Sequence, residues 1–315
     1  MIPALVLTAG LATRLRPLSF VRAKAALPVA GEPLIRRILK GLAASGVADV
    51  VVNLHHLPHT LTRVVGDGSD LGVRVRYSWE APVLGSAGGP RHALPLLGAS
   101  RFLIVNGDTL TDANVQALVA EHLRSGALVT MAVVPNTEPD RYGGALVDPS
   151  GMITGFTRRG SAESSYHVIG LQVVETEAFA SLPDNTPLES TRSLYPALIH
   201  ATPGSVRAWR TSADFLDIGT PADYLSTTLR VAAREGRQLN PSGSRIRIDA
   251  TAQVVDSVLW DDVDVEAGAL LRECVVTDGV RVPADTSWTG VTIRNANGEL
   301  CDGERVIDRL AIGPL

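Results

Sequence analysis

The clearest structural signal in this chain runs from Val6 to Pro28 and reads VLTAGLATRLRPLSFVRAKAALP. An apolar strand ends at Leu7, and the small residues after it let backbone amides crowd around a bound group. Basic side chains come next, at Arg14, Arg16, Arg22 and Lys24. Exposed amides and fixed positive charge together are typical of a polyphosphate site. The simpler interpretation of the same residues is a strand, a turn and a solvated basic loop.

Common phosphate-binding patterns do not fit this stretch. A dinucleotide fingerprint needs spaced glycines where only Gly10 is present, and a Walker A loop needs a Gly-Lys-Ser/Thr that is missing. The stretch does resemble the signature of sugar-1-phosphate nucleotidyltransferases, roughly L-A-G-G-x-G-T-R-L-x-P-L-T, then P-K-P and P-V. The matching residues are Leu7, Gly10, Thr13, Arg14, Leu15, Pro17, Leu18, Lys24, Pro28 and Val29. Ala9 and Ala12 replace two glycines, and either methyl group would crowd the nucleotide if its position needs a positive φ.

The composition indicates a globular protein of about two domains, since 45% of the 315 residues are hydrophobic and 20% are charged. The net charge of −4 argues against a general nucleic-acid-binding protein. Cys274 and Cys301 are too few for a disulfide framework or a thiolate metal site, so we expect a reduced, cytoplasmic setting. No apolar run approaches the ~18 residues of a membrane span, and we do not expect the N-terminus to act as a signal peptide.

Strand and helix patterns alternate through the first half of the chain. Predicted strands are Ala4–Leu7, Asp49–Asn53, Val73–Tyr77, Phe102–Asn106 and Leu128–Val134. Predicted helices are Pro33–Ala44, Thr60–Val65, Pro90–Leu97 and Asp112–Ser125, the last with Asp112 as its N-cap. Antiparallel strands are expected from Tyr142 onward. The pattern predicts a Rossmann-like α/β domain with a mixed central sheet over residues 1–236.

The composition changes after Gly236. The segment RQLNPSGS, residues 237–244, is predicted to be a linker. Beyond it, short runs of apolar residues recur roughly every six residues, which is typical of a hexapeptide β-solenoid. We therefore predict a small left-handed β-helix-like domain over residues 243–315, in which Trp260 and Trp288 are packing anchors. A small β-sandwich is the alternative that the ragged repeat leaves open.

Asp108 and Asp217 are candidate metal ligands. Asp108 follows an apolar strand at the sheet edge where ligands gather, and Asp217 lies between Leu216 and Ile218, where its charge needs a partner. Two carboxylates beside phosphates suit Mg²⁺, whereas a turn or helix-cap aspartate is the simpler interpretation of each. Spacing alone does not pair them. The resemblance does, because G-D and D-I-G-T-P look like the two metal-aspartate motifs of the family.

The resemblance also implies roles for other residues. Base and ribose would be contacted by Leu7, Thr8, Ala9 and Gly10 through the main chain, with Gly85 and Ser86 of the LGSAGG segment opposite. Arg14 would clamp the β- and γ-phosphates, and Lys24 would neutralise charge near the α-phosphate or the sugar phosphate. On the sugar side the implied contacts are Gly143, Arg158 and Arg159. There the family's sugar-binding glutamate and asparagine have no equivalent, and the two arginines are equally well explained as surface-loop residues.

The resemblance implies Mg²⁺-dependent transfer of a nucleotidyl group from an NTP to a sugar 1-phosphate, with no nucleic-acid or membrane partner. The C-terminal region favours a mannose-1-phosphate guanylyltransferase. The Gly85–Asp112 stretch also looks like N-acetylmuramate-1-phosphate uridylyltransferases, and other hexose-1-phosphate uridylyl- or thymidylyltransferases stay open. A non-catalytic regulatory subunit is a further alternative. The C-terminal domain would pack on the first domain or form a homo-oligomer contact. An acyltransferase is disfavoured because no histidine follows His200.

Overall fold

The structure is a computed structural model that describes residues 2–237 and 242–315. The chain forms two compact units. The first comprises residues 1–10, 36–58 and 65–216, and the second comprises residues 11–35, 59–64 and 217–315. Part of the predicted linker lies outside the described residues, and the division into domains 1–236 and 243–315 stays a prediction. Within the described ranges, no helix is both long and apolar enough to cross a membrane.

A mixed β-sheet forms the centre of the first unit. Apart from the two-residue strands Pro28–Val29 and Glu32–Pro33, which pair with each other in the second unit, the strands up to residue 217 are β1 Ala4–Leu7, β2 Asp49–Leu54, β3 Arg74–Trp79, β4 Arg101–Asn106, β5 Thr109–Thr111, β6 Val129–Pro135, β7 Ala145–Val147, β8 Ile153–Phe156, β9 Tyr166–Glu175, β10 Val206–Arg210 and β11 Phe215–Asp217. The order along the main sheet is β8-β7-β9-β4-β1-β2-β3, and β6 pairs with β9 and β10. Strands β4, β1, β2 and β3 are parallel, whereas β9 runs antiparallel to β4 and β6.

Buried apolar runs explain the parallel half of this sheet. In β2 every residue after Asp49 is buried, and in β4 the four residues from Phe102 to Val105 are buried. Strands covered on both faces need such continuous apolar runs, which is why the sequence pattern located them. The core packs Leu5 and Ile104 of the sheet against helix side chains such as Ala93 and Phe179.

The helices are α1 Leu34–Ala44, α2 Pro58–Val65, α3 Gly85–Leu97, α4 Val115–Ser125, α5 Glu177–Ala180, α6 Tyr195–Ala201 and α7 Pro221–Arg234. Two of the predicted starts were wrong. The N-cap of α4 is Asn114, whose Oδ1 accepts a 2.9 Å hydrogen bond from the Ala117 amide, while Asp112 Oδ1 accepts from the Asp214 amide at 2.7 Å. Helix α3 begins at Gly85 rather than at Pro90 and therefore contains the Ala-Gly-Gly of the LGSAGG segment.

A parallel β-helix forms most of the second unit. Its strands are β12 Arg247–Ile248, β13 Gln253–Val255, β14 Val258–Leu259, β15 Asp264–Val265, β16 Leu270–Arg272, β17 Val275–Val276, β18 Arg281–Val282, β19 Ser287–Thr289 and β20 Val291–Asn295. They form three parallel ladders, one on each side of the coil. Two antiparallel strands, β21 Arg305–Ile307 and β22 Leu310–Pro314, continue the third ladder. The β-sandwich alternative is thereby excluded.

One coil of the β-helix takes 17 residues. Hydrogen bonds between neighbouring coils, such as Cys274 N–H to Ser257 Oγ, join residues 17 apart. A coil is therefore one residue shorter than three hexapeptides, which explains why the six-residue rhythm of the sequence is ragged. Leu259, Val276 and Ile293 stack in its core, Trp260 is fully buried, and Trp288 is partly buried against the core, as expected of packing anchors.

Candidate active site

The carboxyl ends of β1, β2 and β4 meet at one edge of the first unit's sheet because these strands are parallel. The loop Leu7–Gly10 leaves β1 at this edge, and Asp108 follows β4 there. Ligands of open α/β sheets bind at such an edge. The structure thus brings together the predicted nucleotide-binding loop and one of the predicted metal ligands.

Two amides of the nucleotide-binding loop are already bonded inside the protein. The Thr8 N–H donates to Asn53 Oδ1 at 2.5 Å, the Ala9 N–H reaches the same oxygen at 3.3 Å, and the Thr8 hydroxyl donates to the Asn53 carbonyl. Any main-chain contact from Thr8 or Ala9 to a ligand must therefore use a carbonyl group. Gly10 is exposed, and a methyl group built on it would meet no atom within 4 Å.

Asn53 also reaches the LGSAGG segment through Glu80. Both side chains are buried, and Asn53 Nδ2 donates to Glu80 Oε1 at 2.7 Å, while the Leu84 N–H donates to Glu80 Oε2 at 2.8 Å. A methyl group built on Gly89 would lie 2.6 Å from Glu80 Oε1, so only glycine fits there. Nothing in the motif spacing marks Asn53 or Glu80. The available signal for Asn53 was its place as the polar last residue of the predicted strand Asp49–Asn53, and Glu80 carried no such signal.

Gly85 and Ser86 lie at the start of α3 and pack against residues 188–190. Gly85 has φ = +74°, and a methyl group on it would lie 2.7 Å from the Leu188 carbonyl oxygen. The Ser86 hydroxyl donates to Glu189 Oε2 and accepts from the Ser190 amide, each at 2.8 Å. The Ser86 side chain is thus engaged by the protein, and contact of these two residues with a nucleotide stays a prediction.

Asp108 is held against the nucleotide-binding loop by its neighbour Gly107. The Gly107 N–H donates to the Leu7 carbonyl at 2.9 Å, and a methyl group on Gly107 would lie 2.6 Å from both Leu7 O and Thr8 Cγ2. The Thr109 hydroxyl donates to Asp108 Oδ1 at 3.1 Å. The close approach of the two backbones at Gly107 makes Asp108 a near neighbour in sequence of a residue that touches the loop leaving β1.

The predicted sugar-side residues are also neighbours. A methyl group on Gly143 would lie 2.6 Å from the Thr157 carbonyl oxygen and 3.5 Å from the Arg159 amide nitrogen. Arg158 and Arg159 are exposed and occupy the turn after β8. The structure therefore brings Gly143 together with this basic turn, while their role in sugar binding stays a prediction.

His167 lies beside Gly143 and was not marked by any motif. Its ring centroid is 4.2 Å from that of Tyr142 and 4.8 Å from that of Phe215, and those two centroids are 6.1 Å apart, so the imidazole is one member of a cluster of three rings. Burial lowers the pKa of His167 to about 4, outweighing the opposite effect of a backbone hydrogen bond at Gly143. The ring is consequently neutral at pH 7, with one nitrogen able to donate a hydrogen bond and the other able to accept one.

The second unit groups Arg14 with Asp217. A methyl group built on Gly219 would lie 3.0 Å from Asp223 Oδ2, 3.5 Å from Asp217 Oδ2 and 3.9 Å from Arg14 Nη1. All three charged side chains therefore surround one backbone position just before α7. Asp223 lies in the first turn of α7 and was missed, because an acidic residue in that position is ordinary helix capping.

The basic residues of the Val6–Pro28 stretch have different environments. Arg14 and Arg16 are exposed, and Lys24 is half-buried at the start of a 3₁₀ turn. Arg22 instead forms ion pairs with Asp261 and Asp278 of the β-helix. Arg22 is therefore not one of the cations offered to a ligand, although the sequence placed it among them.

Asp108 belongs to the first unit and Asp217 to the second, so their convergence on one metal ion stays a prediction. Among residues 2–237 and 242–315, no three or more His, Cys, Asp or Glu side chains are grouped so that they could hold a metal ion. A site built on these aspartates would thus depend on substrate phosphates and water for its other ligands.

Comparison with known proteins gives two family matches. Residues 3–234 match the nucleotidyl transferase family, and residues 240–294 match the GlmU-like C-terminal hexapeptide family. Over 294 residues the chain is 26% identical to a mannose-1-phosphate guanylyltransferase of Mycobacterium tuberculosis, which covers 90% of this chain and 82% of that protein. Over 115 residues it is 45% identical to an N-acetylmuramate alpha-1-phosphate uridylyltransferase of Neisseria meningitidis, covering 36% of this chain and 50% of that protein.

Solved structures show the same fold. The crystal structure of HddC from Yersinia pseudotuberculosis complexed with GMP-PN matches with a TM-score of 0.64 at 22% identity, covering 73% of this chain and 100% of that one. The predicted fold, an α/β domain with a mixed sheet and a left-handed hexapeptide β-helix, is thereby confirmed. The family match spans most of the chain. The chain therefore belongs to the nucleotidyl transferase family, among the sugar-1-phosphate nucleotidyltransferases.

Proposed function

We propose that this enzyme transfers a nucleotidyl group from a nucleoside triphosphate to a sugar 1-phosphate, giving a nucleotide sugar and pyrophosphate. The observation that carries the proposal is the grouping of Arg14, Asp217 and Asp223 around Gly219 in the second unit. A guanidinium beside carboxylates is an arrangement that can hold a triphosphate together with a cation. Asp108 and the Leu7–Gly10 loop, gathered at one sheet edge of the first unit, would supply the remaining contacts.

The reaction needs no covalent enzyme intermediate. An oxygen of the sugar phosphate attacks the α-phosphorus in line, and its new P–O bond forms as the bond to the pyrophosphate oxygen breaks. Arg14 would bind the β- and γ-phosphates with its planar fork, which keeps the leaving group in line. Lys24 would neutralise charge near the α-phosphate or the sugar phosphate. The protein's contribution is thus orientation and electrostatic stabilisation.

Magnesium is the cofactor that fits the donor set. Asp108 and Asp217 offer carboxylate oxygens, which Mg²⁺ prefers, and this ion is commonly held by one or two carboxylates together with substrate phosphates and water. When bound, it would neutralise phosphate charge that develops during transfer. The protein's own part would be to aim the two carboxylates, Asp108 through the Gly107 turn and Asp217 through the turn before α7.

Guanylyl transfer to mannose 1-phosphate is the substrate pair we favour. The likeness to the mycobacterial guanylyltransferase runs over 90% of the chain, far more than the 36% covered by the uridylyltransferase likeness. The higher identity of that shorter match, 45%, makes uridylyl transfer to N-acetylmuramate 1-phosphate or another hexose 1-phosphate the second candidate. Pyrophosphate release measured for four NTPs against a panel of sugar 1-phosphates would decide. Release with none of the pairs would refute the proposed function.

The metal proposal is tested at Asp108. Asp108→Ala should lower turnover by about a hundredfold or more, with a much smaller effect on stability. Asp112→Ala is the matched control, because it removes an exposed carboxylate four residues away that binds the Asp214 amide. Asp108→Ala activity within about tenfold of the wild type would remove the metal proposal.

A regulatory subunit that binds a nucleotide sugar without turnover is the alternative from another functional class. The alanines at positions 9 and 12 are the sequence features that favour it. Magnesium-dependent pyrophosphate release by the purified chain alone would exclude it.

Assembly into a homo-oligomer through the β-helix is also a proposal. Truncation after Arg237 is a poor test, because residues 11–35 belong to the same compact unit as residues 217–315 and would lose their packing. Light scattering on the full chain is the appropriate measurement. A monomer at every concentration tested would contradict the oligomer.

A further inference from the structure

Arg22 forms the closest link between the Val6–Pro28 stretch and the β-helix. Its Nε and Nη2 atoms donate to the two carboxylate oxygens of Asp278 at 2.8 and 2.5 Å, and Nη2 also donates to Asp261 Oδ2 at 2.7 Å. The Arg22 side chain is only 13% exposed, and its guanidinium lies 5.2 Å from the ring centroid of the buried Trp260. Such a planar fork on two carboxylates and an aromatic face fixes both position and orientation.

The two aspartates occupy equivalent positions on neighbouring coils, 17 residues apart. The Asp261 amide donates to Asp278 Oδ1 at 3.1 Å, and the Ser244 amide and hydroxyl donate to Asp261 Oδ1 at 2.7 and 2.9 Å. Burial alone would lower the pKa of Arg22, but the hydrogen bonds and charges of Asp278 and Asp261 outweigh it and raise that pKa. The ion pair therefore rests on carboxylates that the β-helix itself holds in place.

Phe20 provides a second attachment. Its ring contacts two guanidinium groups, with its centroid 5.0 Å from that of Arg16 and 5.4 Å from that of Arg294. Arg294 is 2% exposed and forms a double hydrogen bond of 2.8 and 2.7 Å with the Glu304 carboxylate. The Arg294–Glu304 pair belongs to the end of the β-helix, so Phe20 packs on a rigid and fully paired group.

A third attachment joins Pro28 to the β-helix through α7. The Trp260 Nε1–H donates to the Tyr224 hydroxyl at 3.0 Å, and that hydroxyl donates to the Pro28 carbonyl at 2.5 Å. Tyr224 and Trp260 are both fully buried. Residues 20–28 are thus held at Phe20, Arg22 and Pro28 by elements that follow residue 220.

The segment between these attachments has little regular structure of its own. Around these attachments the chain forms 3₁₀ turns at residues 13–15, 18–20 and 24–26, each closed by two or three backbone hydrogen bonds. Short 3₁₀ turns hold their geometry poorly without outside support. Of the two cations assigned to the substrate, Arg14 precedes the attached residues, and Lys24 lies between Arg22 and Pro28. Their positions therefore depend on what Phe20 and Arg22 are bound to.

We propose that Arg22 is a positioning residue, through which Asp261 and Asp278 of the β-helix fix the segment that carries Arg14 and Lys24. The β-helix is then part of the nucleotidyl-transfer machinery rather than an appended module. This inference rests on the proposed function for its kinetic consequence. Its structural consequence, a segment that loosens when the ion pair is broken, can be measured without any substrate.

The test replaces both carboxylates in the full chain, as D261N/D278N. Each Asn keeps one side-chain oxygen, which can still accept the backbone N–H hydrogen bond that the aspartate accepts in the wild type. The coil therefore retains those bonds, while Arg22 loses its charged partners. R22K is the second variant, since a lysine keeps the charge without the fork. The matched control is D262N/D264N, which removes from the same coil the exposed carboxylate of Asp262 and the half-buried one of Asp264, which pair with Arg245 and Arg247.

Hydrogen exchange is measured first, without ligand. Amides of residues 12–27 should exchange about tenfold faster in D261N/D278N and in R22K, with circular dichroism confirming a folded chain at the assay temperature. The control should match the wild type. Exchange in this segment within about twofold of the control in both variants would overturn the proposal.

The kinetic readout then separates positioning from general damage. The KM for the NTP should rise by about tenfold in D261N/D278N and stay at the wild-type value in D262N/D264N, because Arg14, which holds the triphosphate, lies in the loosened segment. An NTP KM that is unchanged in D261N/D278N, or raised equally in the control, would overturn the kinetic part. If the wild type releases no pyrophosphate with any substrate pair, the proposed function fails, while the exchange experiment still decides whether Arg22 anchors the segment.

Discussion

Asn53 and Glu80 are joined by a buried hydrogen bond of 2.7 Å from Nδ2 to Oε1. The pair connects the loop after β1 with the start of the LGSAGG segment, since Asn53 accepts from the Thr8 amide and Glu80 accepts from the Leu84 amide. Two loops that the family resemblance assigns to the nucleotide are thereby fixed relative to each other within the first unit. A buried network that is fully bonded in this way specifies one arrangement of the backbone.

Asn53→Ala should therefore destabilise the protein and weaken nucleotide binding. The substitution leaves the Thr8 amide and the Glu80 carboxylate without their partner in a buried place, which we expect to cost about 3 kcal/mol of unfolding free energy. Urea denaturation and the KM for the NTP measure the two effects. Asn114→Ala is the control, because it removes only the exposed N-cap of α4, worth about 1 kcal/mol, and should not change KM. Equal losses in the two variants would contradict this role of Asn53.

Ala12 and Ala9 stand where the family signature has glycines. Replacing each of them by glycine should change the unfolding free energy in opposite directions. Ala12 has φ = +48°, a left-handed conformation that costs an L-residue about 1–2 kcal/mol, whereas Ala9 is buried with an ordinary negative φ. Ala12→Gly should raise the unfolding free energy by up to about 1 kcal/mol, because the relief of strain exceeds the added chain entropy. Ala9→Gly should lower it by about 1 kcal/mol. Thermal denaturation of both variants checks the signs, and equal signs would contradict the assignment.

Alanine substitutions at Gly10 and Gly107 distinguish an effect on ligand binding from an effect on packing. A methyl group at Gly10 meets no protein atom, so Gly10→Ala should keep the unfolding free energy within about 0.5 kcal/mol of the wild type. A methyl group at Gly107 collides with the Leu7 carbonyl, so Gly107→Ala should cost about 2 kcal/mol or more. If Gly10 contacts the nucleotide, its variant should still raise the KM for the NTP about tenfold. An unchanged KM would remove Gly10 from the site.

The parallel strands were predictable because a strand that is buried on both faces is a continuous run of apolar residues. Asp49–Asn53 was predicted and the strand is Asp49–Leu54, and Phe102–Asn106 differs by one residue from Arg101–Asn106. The N-cap of α4 was misplaced because Asp112 and Asn114 both suit a helix start, and only the tertiary bond from the Asp214 amide to Asp112 separates them.

Site residues were predictable where they belong to a family motif. They were not predictable where their role depends on a bonding partner far away along the chain. Asn53 bonds a residue 45 positions earlier, and the carboxylate that holds Arg22 lies 256 positions later. Spacing along the chain carries no information about such partners. Arg22 therefore looked like one more phosphate-binding cation, although the β-helix pairs its charge. The roles of Asp108, Asp217, Arg14 and Lys24, and the magnesium ion, stay predictions.

His167 should make the protein less stable as the pH falls below neutrality. Its pKa in the folded chain is about 4, well below the ordinary value of about 6.5, because burial penalises the charged ring. The unfolded chain therefore takes up the proton first, and the stability contributed by the neutral ring is lost between about pH 6.5 and pH 4. The loss approaches about 3 kcal/mol at the lower limit.

His167→Phe isolates this effect, since it keeps a ring in contact with Tyr142 and Phe215 and removes the proton site. His122, whose pKa is also lowered by burial, titrates in both proteins and cancels in the difference. Urea denaturation at pH 7.5, 6, 5 and 4.5 gives the difference curve, and the carboxyl groups that begin to titrate at the lower end are present in both proteins. The wild type should lose stability relative to the variant as the pH falls. A stability difference that does not change with pH would mean that His167 takes up a proton in the folded chain as readily as in the unfolded chain. The assignment of a neutral imidazole beside Gly143 would then be wrong.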